Sequence, residues 1–137
     1  MTIQTVIRGA AVLAVPVLLA LAGPALAGPH ANEAKGSASE AIAEAGQMLD
    51  HGGMGHLDVM IDHARRALDH ARSAVRHART DFEQTADPHV QQFIGHTETG
   101  IGHIESAVEH ARMGHGDVAM GHAEEGMKHL KEGFGHL

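Results

Sequence analysis

Histidines at a regular spacing of seven residues dominate the second half of the chain. They form two sets of four, separated by a short connection. The first set is His89, His96, His103 and His110, and the second is His115, His122, His129 and His136. Seven residues make almost two full turns of an α-helix, so each set forms one narrow stripe along one side of a helix. The spacing therefore predicts two helices, each with a row of imidazoles.

The connection between the two sets is short enough for the helices to fold back on each other. In an antiparallel hairpin with its turn at residues 111–114, each histidine of one row faces a histidine of the other row. The predicted pairs are His110/His115, His103/His122, His96/His129 and His89/His136. Imidazole is the commonest protein ligand for transition metals, so the pairing predicts metal sites across the hairpin.

The first half of the chain follows the same plan in a less regular form. The segment Met54-Gly55-His56-Leu57-Asp58-Val59 recurs 59 residues later as Met113-Gly114-His115-Gly116-Asp117-Val118. We interpret the chain as two copies of one helical hairpin. The same offset gives the pairs of the first hairpin as His51/His56, Glu44/His63, Ser37/His70 and His30/His77.

Apolar residues recur beside the histidines at heptad positions in all four segments, which predicts an all-α fold, an antiparallel four-helix bundle made of two hairpins. A flexible lead-in is expected at residues 28–36, and a Ser37-Ala38-Ser39-Glu40 capping box would start helix 1, which ends near His51. Helix 2 is expected from about His56 to Gln84. Helix 3 would begin at Asp87-Pro88, an N-cap followed by a favourable first residue, and end near Arg112. Helix 4 would run from Gly114 or His115 to near the C-terminus.

Small residues are expected where the two helices of a hairpin face each other inside the bundle. The pairs in these layers include Gly100/Gly126, Ala107/Ala119 and Phe93/Gly133. Residues of this size let two backbones approach closely, which brings facing imidazoles within reach of one ion.

The N-terminal residues resemble a secretory signal. Arg8 precedes a short apolar run at residues 10–22, and Ala25-Leu26-Ala27 fits a cleavage site after Ala27. The run is too short to span a bilayer comfortably. We therefore expect residues 1–27 to be a signal peptide and the product to be a soluble periplasmic or secreted protein, without membrane association after cleavage.

Composition limits the partners and the chemistry. Without residues 1–27, nine Lys and Arg stand against seventeen Asp and Glu, a net charge of −8 with neutral histidines, which argues against nucleic-acid binding. The chain has no cysteine, so thiolate sites are excluded. No motif of a known catalytic site is found in the sequence, and an enzyme is not expected. Nothing in the sequence indicates a particular protein partner.

The candidate metal ligands are the histidines of both hairpins and carboxylates that share their stripes. Glu125 and Glu132 lie three or four residues from histidines of the rows, which we call ladder histidines. Glu44 is placed opposite His63, with Glu33 and Glu40 nearby. The predicted ligands are His51, His56, His63, His70, His77, His89, His96, His103, His110, His115, His122, His129, His136, Glu44, Glu125 and Glu132.

The ligand types indicate which metals are preferred. Nitrogen-rich sites follow the Irving–Williams order, so Cu(II) is expected to bind most tightly and Ni(II) and Zn(II) more weakly. Met54 and Met113 occupy equivalent turn positions, where their thioethers would suit Cu(I). Met48 and Met60 fall on the core side of their helices, and we interpret them as packing residues.

The repeated motifs resemble those of the small metal-binding protein family. The resemblance rests on Gly-His-x-Asp at helix starts and on histidines followed by alanine every seven residues, as in His63-Ala64-Arg65-Arg66-Ala67-Leu68-Asp69-His70-Ala71. It covers nearly all of the chain after the leader. It implies a periplasmic helical bundle that binds several divalent ions, copper above all, and buffers or detoxifies them. The family role carries over to the matching histidines, which are His56, His63, His70, His77, His96, His103, His110, His115, His122 and His129. Ser37, Glu44 and the many glycines depart from the pattern.

A metal-independent function would explain the same rows of histidines. Imidazoles protonate near pH 6.5, so a bundle lined with them could open in acid. The alternative to metal capture is therefore a pH-responsive interaction module or an envelope stress chaperone.

Overall fold

The computed structural model describes residues 28–137, which form four α-helices joined by short turns. The helices are α1 (Pro29–Gly53), α2 (Leu57–Thr85), α3 (Pro88–Arg112) and α4 (Gly116–Phe134). The predicted all-α four-helix bundle is confirmed. The proposed signal peptide, residues 1–27, lies outside the described residues. Within residues 28–137, every helix is too short or too polar to cross a membrane.

The turns that close the two hairpins have the same backbone conformation. Gly55 and Gly114 have φ angles of 76° and 75°, in the left-handed region that glycine adopts without a steric penalty. In each turn the amide of the histidine after this glycine donates to the carbonyl of the last ladder histidine, at 2.9 Å for His56 to His51 and for His115 to His110. The two turns therefore place the histidines that flank them in the same relative positions.

The start of α3 is the one that the sequence predicts. Asp87 is the N-cap and its carboxylate accepts a hydrogen bond of 2.8 Å from the amide of His89, while Pro88 occupies the first turn. Proline is well tolerated there because the first amides of a helix have no partner within the helix. The register of the histidines on α3 is thus set from its first residue.

The expected start of the first helix was wrong. Residues 28–36 are not a flexible lead-in, because α1 begins at Pro29 with Gly28 as its N-cap. The Ser37–Glu40 motif is not a capping box but lies inside the helix, where the Ser37 hydroxyl is 3.5 Å from that of Ser73 on α2. Pro29 can start a helix as well as Ser37 can, and the buried Ala34 gains apolar contacts when the helix extends to it.

Close backbone contact between α3 and α4 is confirmed at the small residues. A Cβ atom on Gly100 would lie 3.0 Å from the carbonyl oxygen of Gly126, and one on Gly133 would lie 3.2 Å from that of Phe93. Both distances are too short for a side chain without movement of the backbone. Glycine at these positions holds the two helices, and thus their histidine rows, close together.

The two hairpins pack side by side around an aliphatic core rich in alanine. Helix α2 contacts α3, and α1 contacts α4. Ion pairs of Arg72 with Glu105 and of Arg79 with Glu98 join α2 and α3 at the surface. The histidines of α2 and α3 lie on a different side of these helices. Those of α2 face α1, and those of α3 face α4.

Candidate metal centre

The histidine rows border the core and do not enter it. Ladder histidines inside the helices are half-buried, whereas His56, His89 and His115 at the row ends are exposed. Buried alanines and leucines of the core lie beside each row, and solvent lies on its other side. The rings are therefore held in place by neighbouring side chains and remain accessible to an ion from solvent.

The imidazole pairs predicted from the spacing are confirmed in the second hairpin. Ring centroids are 5.9 Å apart in His110/His115, 5.8 Å in His103/His122, 6.0 Å in His96/His129 and 6.1 Å in His89/His136. In the first hairpin the corresponding values are 5.9 Å for His51/His56 and 6.2 Å for His30/His77. The constant separation follows from one spacing repeated along two helices that remain in register.

Each row also makes diagonal contacts that are shorter than the registered pairs. The centroids of His110/His122, His103/His129 and His96/His136 are 5.3, 5.5 and 5.4 Å apart, and those of His51/His63 are 5.2 Å apart. The reason is that a side chain on a helix leans towards the N-terminus of that helix. In an antiparallel pair the two rows lean in opposite directions. Each ring therefore moves towards a ring of the neighbouring facing pair; we call each facing pair a rung. The eight imidazoles form one zigzag and not four isolated pairs.

The separations in the zigzag match those of two imidazoles on one ion. A metal–nitrogen bond of about 2 Å places each ring centre about 3 Å from the ion, so two ligands of one ion have centres about 5–6 Å apart. Both the registered and the diagonal contacts fall in this range. Neighbouring histidines can therefore bind an ion in either of two alternative pairings.

Several ring nitrogens of the rows have no hydrogen-bond partner among the described residues. They are buried Nδ1 atoms of His30, His51, His110 and His129. A buried polar atom that lacks a partner is unfavourable and is uncommon in folded proteins. Such nitrogens could coordinate a metal ion bound between the rows.

Two places in the described part of the chain bring three metal-ligating groups together. His96, His129 and Glu132 have ligand atoms within 4.8 Å of one another, and so do His30, Glu33 and His77. Oε2 of Glu132 lies 3.0 Å from Nδ1 of His129, yet that contact does not have the direction of a hydrogen bond. A carboxylate beside two imidazoles supplies a third ligand and negative charge for a divalent cation.

Glu33 and His30 are not among the predicted ligands. They join the candidate site because α1 already begins at Pro29, which continues the seven-residue spacing of the first row back to His30. Glu33 lies 2.9 Å from Nδ1 of His77 and 3.4 Å from that of His30. In the sequence, His30 occupies the same heptad position as the other histidines of its row. This position places it in the row only if the helix extends to residue 30.

The Glu44/His63 rung of the first hairpin holds an internal cation. Oε2 of Glu44 lies 2.7 Å from Nδ1 of His63, and Arg66 contacts both, at 3.0 Å through Nε to the carboxylate and at 2.8 Å to the ring nitrogen. The hydrogen bond with His63 lowers the pKa of the Glu44 carboxyl, and Arg66 lowers it further, against the opposing effect of burial. A metal ion at this rung must displace the guanidinium of Arg66.

The other predicted carboxylate and the turn methionines are placed differently. Glu125 forms an ion pair of 3.2 Å with Lys128 on its own helix, so its role as a ligand stays a prediction. Glu40 instead approaches His70, at 2.9 Å from Nδ1, where Ser37 offers no ligand. Met54 and Met113 are 58% and 57% exposed at the turns, and their binding of Cu(I) also stays a prediction.

The model of one protein family, described as small metal-binding protein, matches residues 7–133. The chain belongs to the small metal-binding protein family. No curated protein matches the sequence. The match includes all four helices except the last residue of α4, so every histidine of the rows except His136 lies inside the matched part. The family and the groups of histidine and glutamate side chains both support metal binding as the function of this small metal-binding protein.

Proposed function

We propose that this protein is exported and that it reversibly captures several divalent transition-metal ions, copper above all, for buffering, storage or detoxification. The observation that carries the proposal is the zigzag of eight imidazoles along α3 and α4, six of them half-buried, with centroid separations of 5.3–6.1 Å. A continuous row of histidines at metal-binding distances on two helices supports metal capture more strongly than a single surface histidine does.

The arrangement suits exchangeable binding. Most sites offer two imidazoles, and the best described groups add one carboxylate. The rings are partly exposed, so an ion can exchange ligands with solvent. A chain that offers many sites of modest affinity holds metal against a changing external concentration, as a buffer does.

Copper is favoured by the chemistry of the ligands. Imidazole nitrogen binds divalent first-row metals in an order that rises to Cu(II) and falls again at Zn(II). The chain has no cysteine, so soft thiolate sites that would select other metals do not compete. Ni(II) and Zn(II) are expected to bind the same rungs more weakly.

Capture should depend on pH because protons and metal ions compete for the same nitrogens. A metal binds the neutral imidazole, so binding is expected at pH 7 and should be lost as the rings protonate below about pH 6.5. Reversal by acid is thus part of the proposed mechanism.

Equilibrium dialysis of the metal-free exported protein against Cu(II) at pH 7 tests the proposal. We expect at least two ions per chain, and a lower number would contradict multi-site capture. The double variant Glu109→Gln/Glu124→Gln is the matched control, since both are exposed carboxylates outside the groups of three ligating side chains found among residues 28–137; it should bind as many ions as the parent.

Export is tested separately by the mass of the protein recovered outside the cytoplasm. Cleavage after Ala27 would give a product that begins at Gly28. A product that retains residues 1–27 would contradict the proposed processing without affecting the metal sites.

A further inference from the structure

Two methionine sulfurs meet in the core near the hairpin turns, at a position where the chain has glycine. A Cβ atom on Gly52 would overlap the sulfur of Met120 and lie 2.9 Å from that of Met60. Gly52 belongs to the end of α1, Met60 to the start of α2 and Met120 to α4. Three helices from both hairpins thus converge on one point that both sulfurs approach.

From this geometry we propose that Met60 and Met120 form a Cu(I) site beside Gly52, separate from the histidine rows. Each sulfur lies no farther than 2.9 Å from the position of the absent Cβ, so the two sulfurs are at most twice that distance apart. Metal–sulfur bonds of about 2.3 Å place two sulfurs on one ion up to about 4.6 Å apart. Small rotations of two flexible side chains are enough to reach that separation.

A third thioether is available nearby. Met48 is fully buried, lies one helical turn before Gly52 and belongs to the same core cluster as Met60, with Met120 packed against it. Met60 is 1% exposed, whereas Met120 is only partly buried. Met120 therefore provides the route by which an ion from solvent reaches the site.

The chemistry of the site selects a monovalent soft ion. Thioether sulfur is neutral and soft and favours Cu(I). Among residues 28–137 the one buried carboxylate is that of Asp81, which lies beside Gly28 at the opposite end of the bundle. A divalent ion between Met60 and Met120 would therefore be buried without a counter-charge, which is very unfavourable. Cu(I) and its analogue Ag(I) are thus the expected ligands, and Zn(II) is not.

The equivalent position of the other hairpin lacks all three features. At an offset of 59 residues, Gly52 corresponds to Ala111, Met60 to Ala119 and Met120 to Ile61. The two sulfurs and the glycine therefore occur together at one position of the bundle and are absent together from the position that the repeat makes equivalent.

Acid separates this site from the histidine rows. Imidazoles are protonated at about pH 5 and lose metal, whereas a thioether has no proton to gain at that pH. We expect the anaerobic full-length exported protein to keep one Cu(I) at about pH 5 against a competing Cu(I) chelator. X-ray absorption of that sample should show sulfur at about 2.3 Å. A spectrum with only nitrogen or oxygen ligands would overturn the proposal.

Variants provide the second readout. Met60→Leu/Met120→Leu keeps the side-chain volume nearly constant and should lose the Cu(I) bound at about pH 5 while its circular dichroism stays helical. Gly52→Ala should weaken binding at least tenfold, because the new Cβ would overlap the sulfur of Met120 and lie 2.9 Å from that of Met60, so both side chains would have to move. The matched control is Met127→Leu, which changes another buried core methionine that lies beside Gly46 and not beside Gly52; it should bind as the parent does.

Two outcomes contradict the proposal whatever happens to the histidine rows. One is full Cu(I) binding by the Met60/Met120 variant, and the other is loss of binding in the Met127→Leu control. The absorption spectrum of the unmodified protein decides the case even if a core variant fails to fold. Since the site does not use imidazole, failure of Cu(II) capture at pH 7 would leave this result unchanged.

Discussion

Nδ1 of His63 on α2 lies 2.7 Å from Oε2 of Glu44 on α1, and Arg66 contacts both groups. The first hairpin therefore has its own positive charge at a rung where the second hairpin has facing imidazoles. Two consequences can be measured, one on stability and one on metal affinity.

The stabilising effect of Glu44 should depend on pH. Its pKa is lowered from the ordinary value of 4.5 in the folded protein, so its contribution is present above about pH 4.5 and is lost as the pH falls through the lowered pKa. Without metal, Glu44→Gln should lower the melting temperature at pH 7 and have a smaller effect at about pH 3. Glu109→Gln is the control. An equal loss for Glu44→Gln at both pH values would contradict the assignment.

Removing Arg66 should improve metal binding in the first hairpin. Exposed ion pairs contribute roughly 0.2–1 kcal/mol, so Arg66→Gln is expected to raise Cu(II) affinity at the Glu44/His63 rung by a factor between about 1.4 and 5. Broadening of the His63 ring signals in NMR titrations with Cu(II) follows the binding of ions at this rung and at the adjoining His51. Arg65→Gln is the matched control, because Arg65 pairs with Asp62 at 3.5 Å. If both variants behave like the parent, the guanidinium is not a competitor.

Two double variants show which pairing the metal uses in the second hairpin. If ions bind registered pairs, His103→Ala/His122→Ala removes one site and His103→Ala/His129→Ala removes two. If ions bind diagonal pairs, the losses are reversed, because His103 and His129 then share an ion. Cu(II) stoichiometry by equilibrium dialysis distinguishes the two cases. Unchanged stoichiometry in both variants would reject binding between the rows.

Glycines on the exposed side of α3 and α4 should weaken the bundle. A Cβ on Gly95, Gly102 or Gly121 would meet nothing within 4 Å, and glycine inside a helix costs about 0.5–1 kcal/mol relative to alanine. Each change to alanine should raise the free energy of unfolding by about that amount in urea titrations. The control is Gly126→Ala, which should lower it, since its Cβ would lie 2.6 Å from Ile104. Destabilisation by all four changes would show that the open positions are needed.

The heptad spacing predicted the helices and the imidazole pairs because one period controls both. Histidines spaced by seven residues lie on one side of a helix, and a short turn fixes the register of the two helices of a hairpin. The pair His96/His129 therefore follows from the residue numbers alone. Asp87-Pro88 set the start of α3 because the cap acts within a few residues. Local signals of this kind are read directly from the sequence.

Other features could not be read from the sequence, because they depend on competing helix starts or on contacts between helices. Pro29 and Ser37 both offer a helix start, and only tertiary packing of Ala34 favours the first. The diagonal contact of His103 with His129 results from the opposite lean of side chains on antiparallel helices. The placement of Arg66 at the Glu44 rung depends on side-chain reach across the hairpin. Glycine before histidine is explained at residues 55 and 114 by the turn, whereas the structure gives no steric reason for it at residues 95, 102 and 121.

Pulsed electron paramagnetic resonance of the protein loaded with one equivalent of Cu(II) at pH 7 tests the central claim most directly. The remote nitrogens of coordinated imidazoles modulate the electron spin echo, and their number can be counted. We predict at least two imidazoles on the ion in the parent protein. His96→Ala/His103→Ala/His110→Ala, which removes three of the four histidines of one row, should reduce that number. A parent spectrum with one imidazole or none would contradict capture between facing helices.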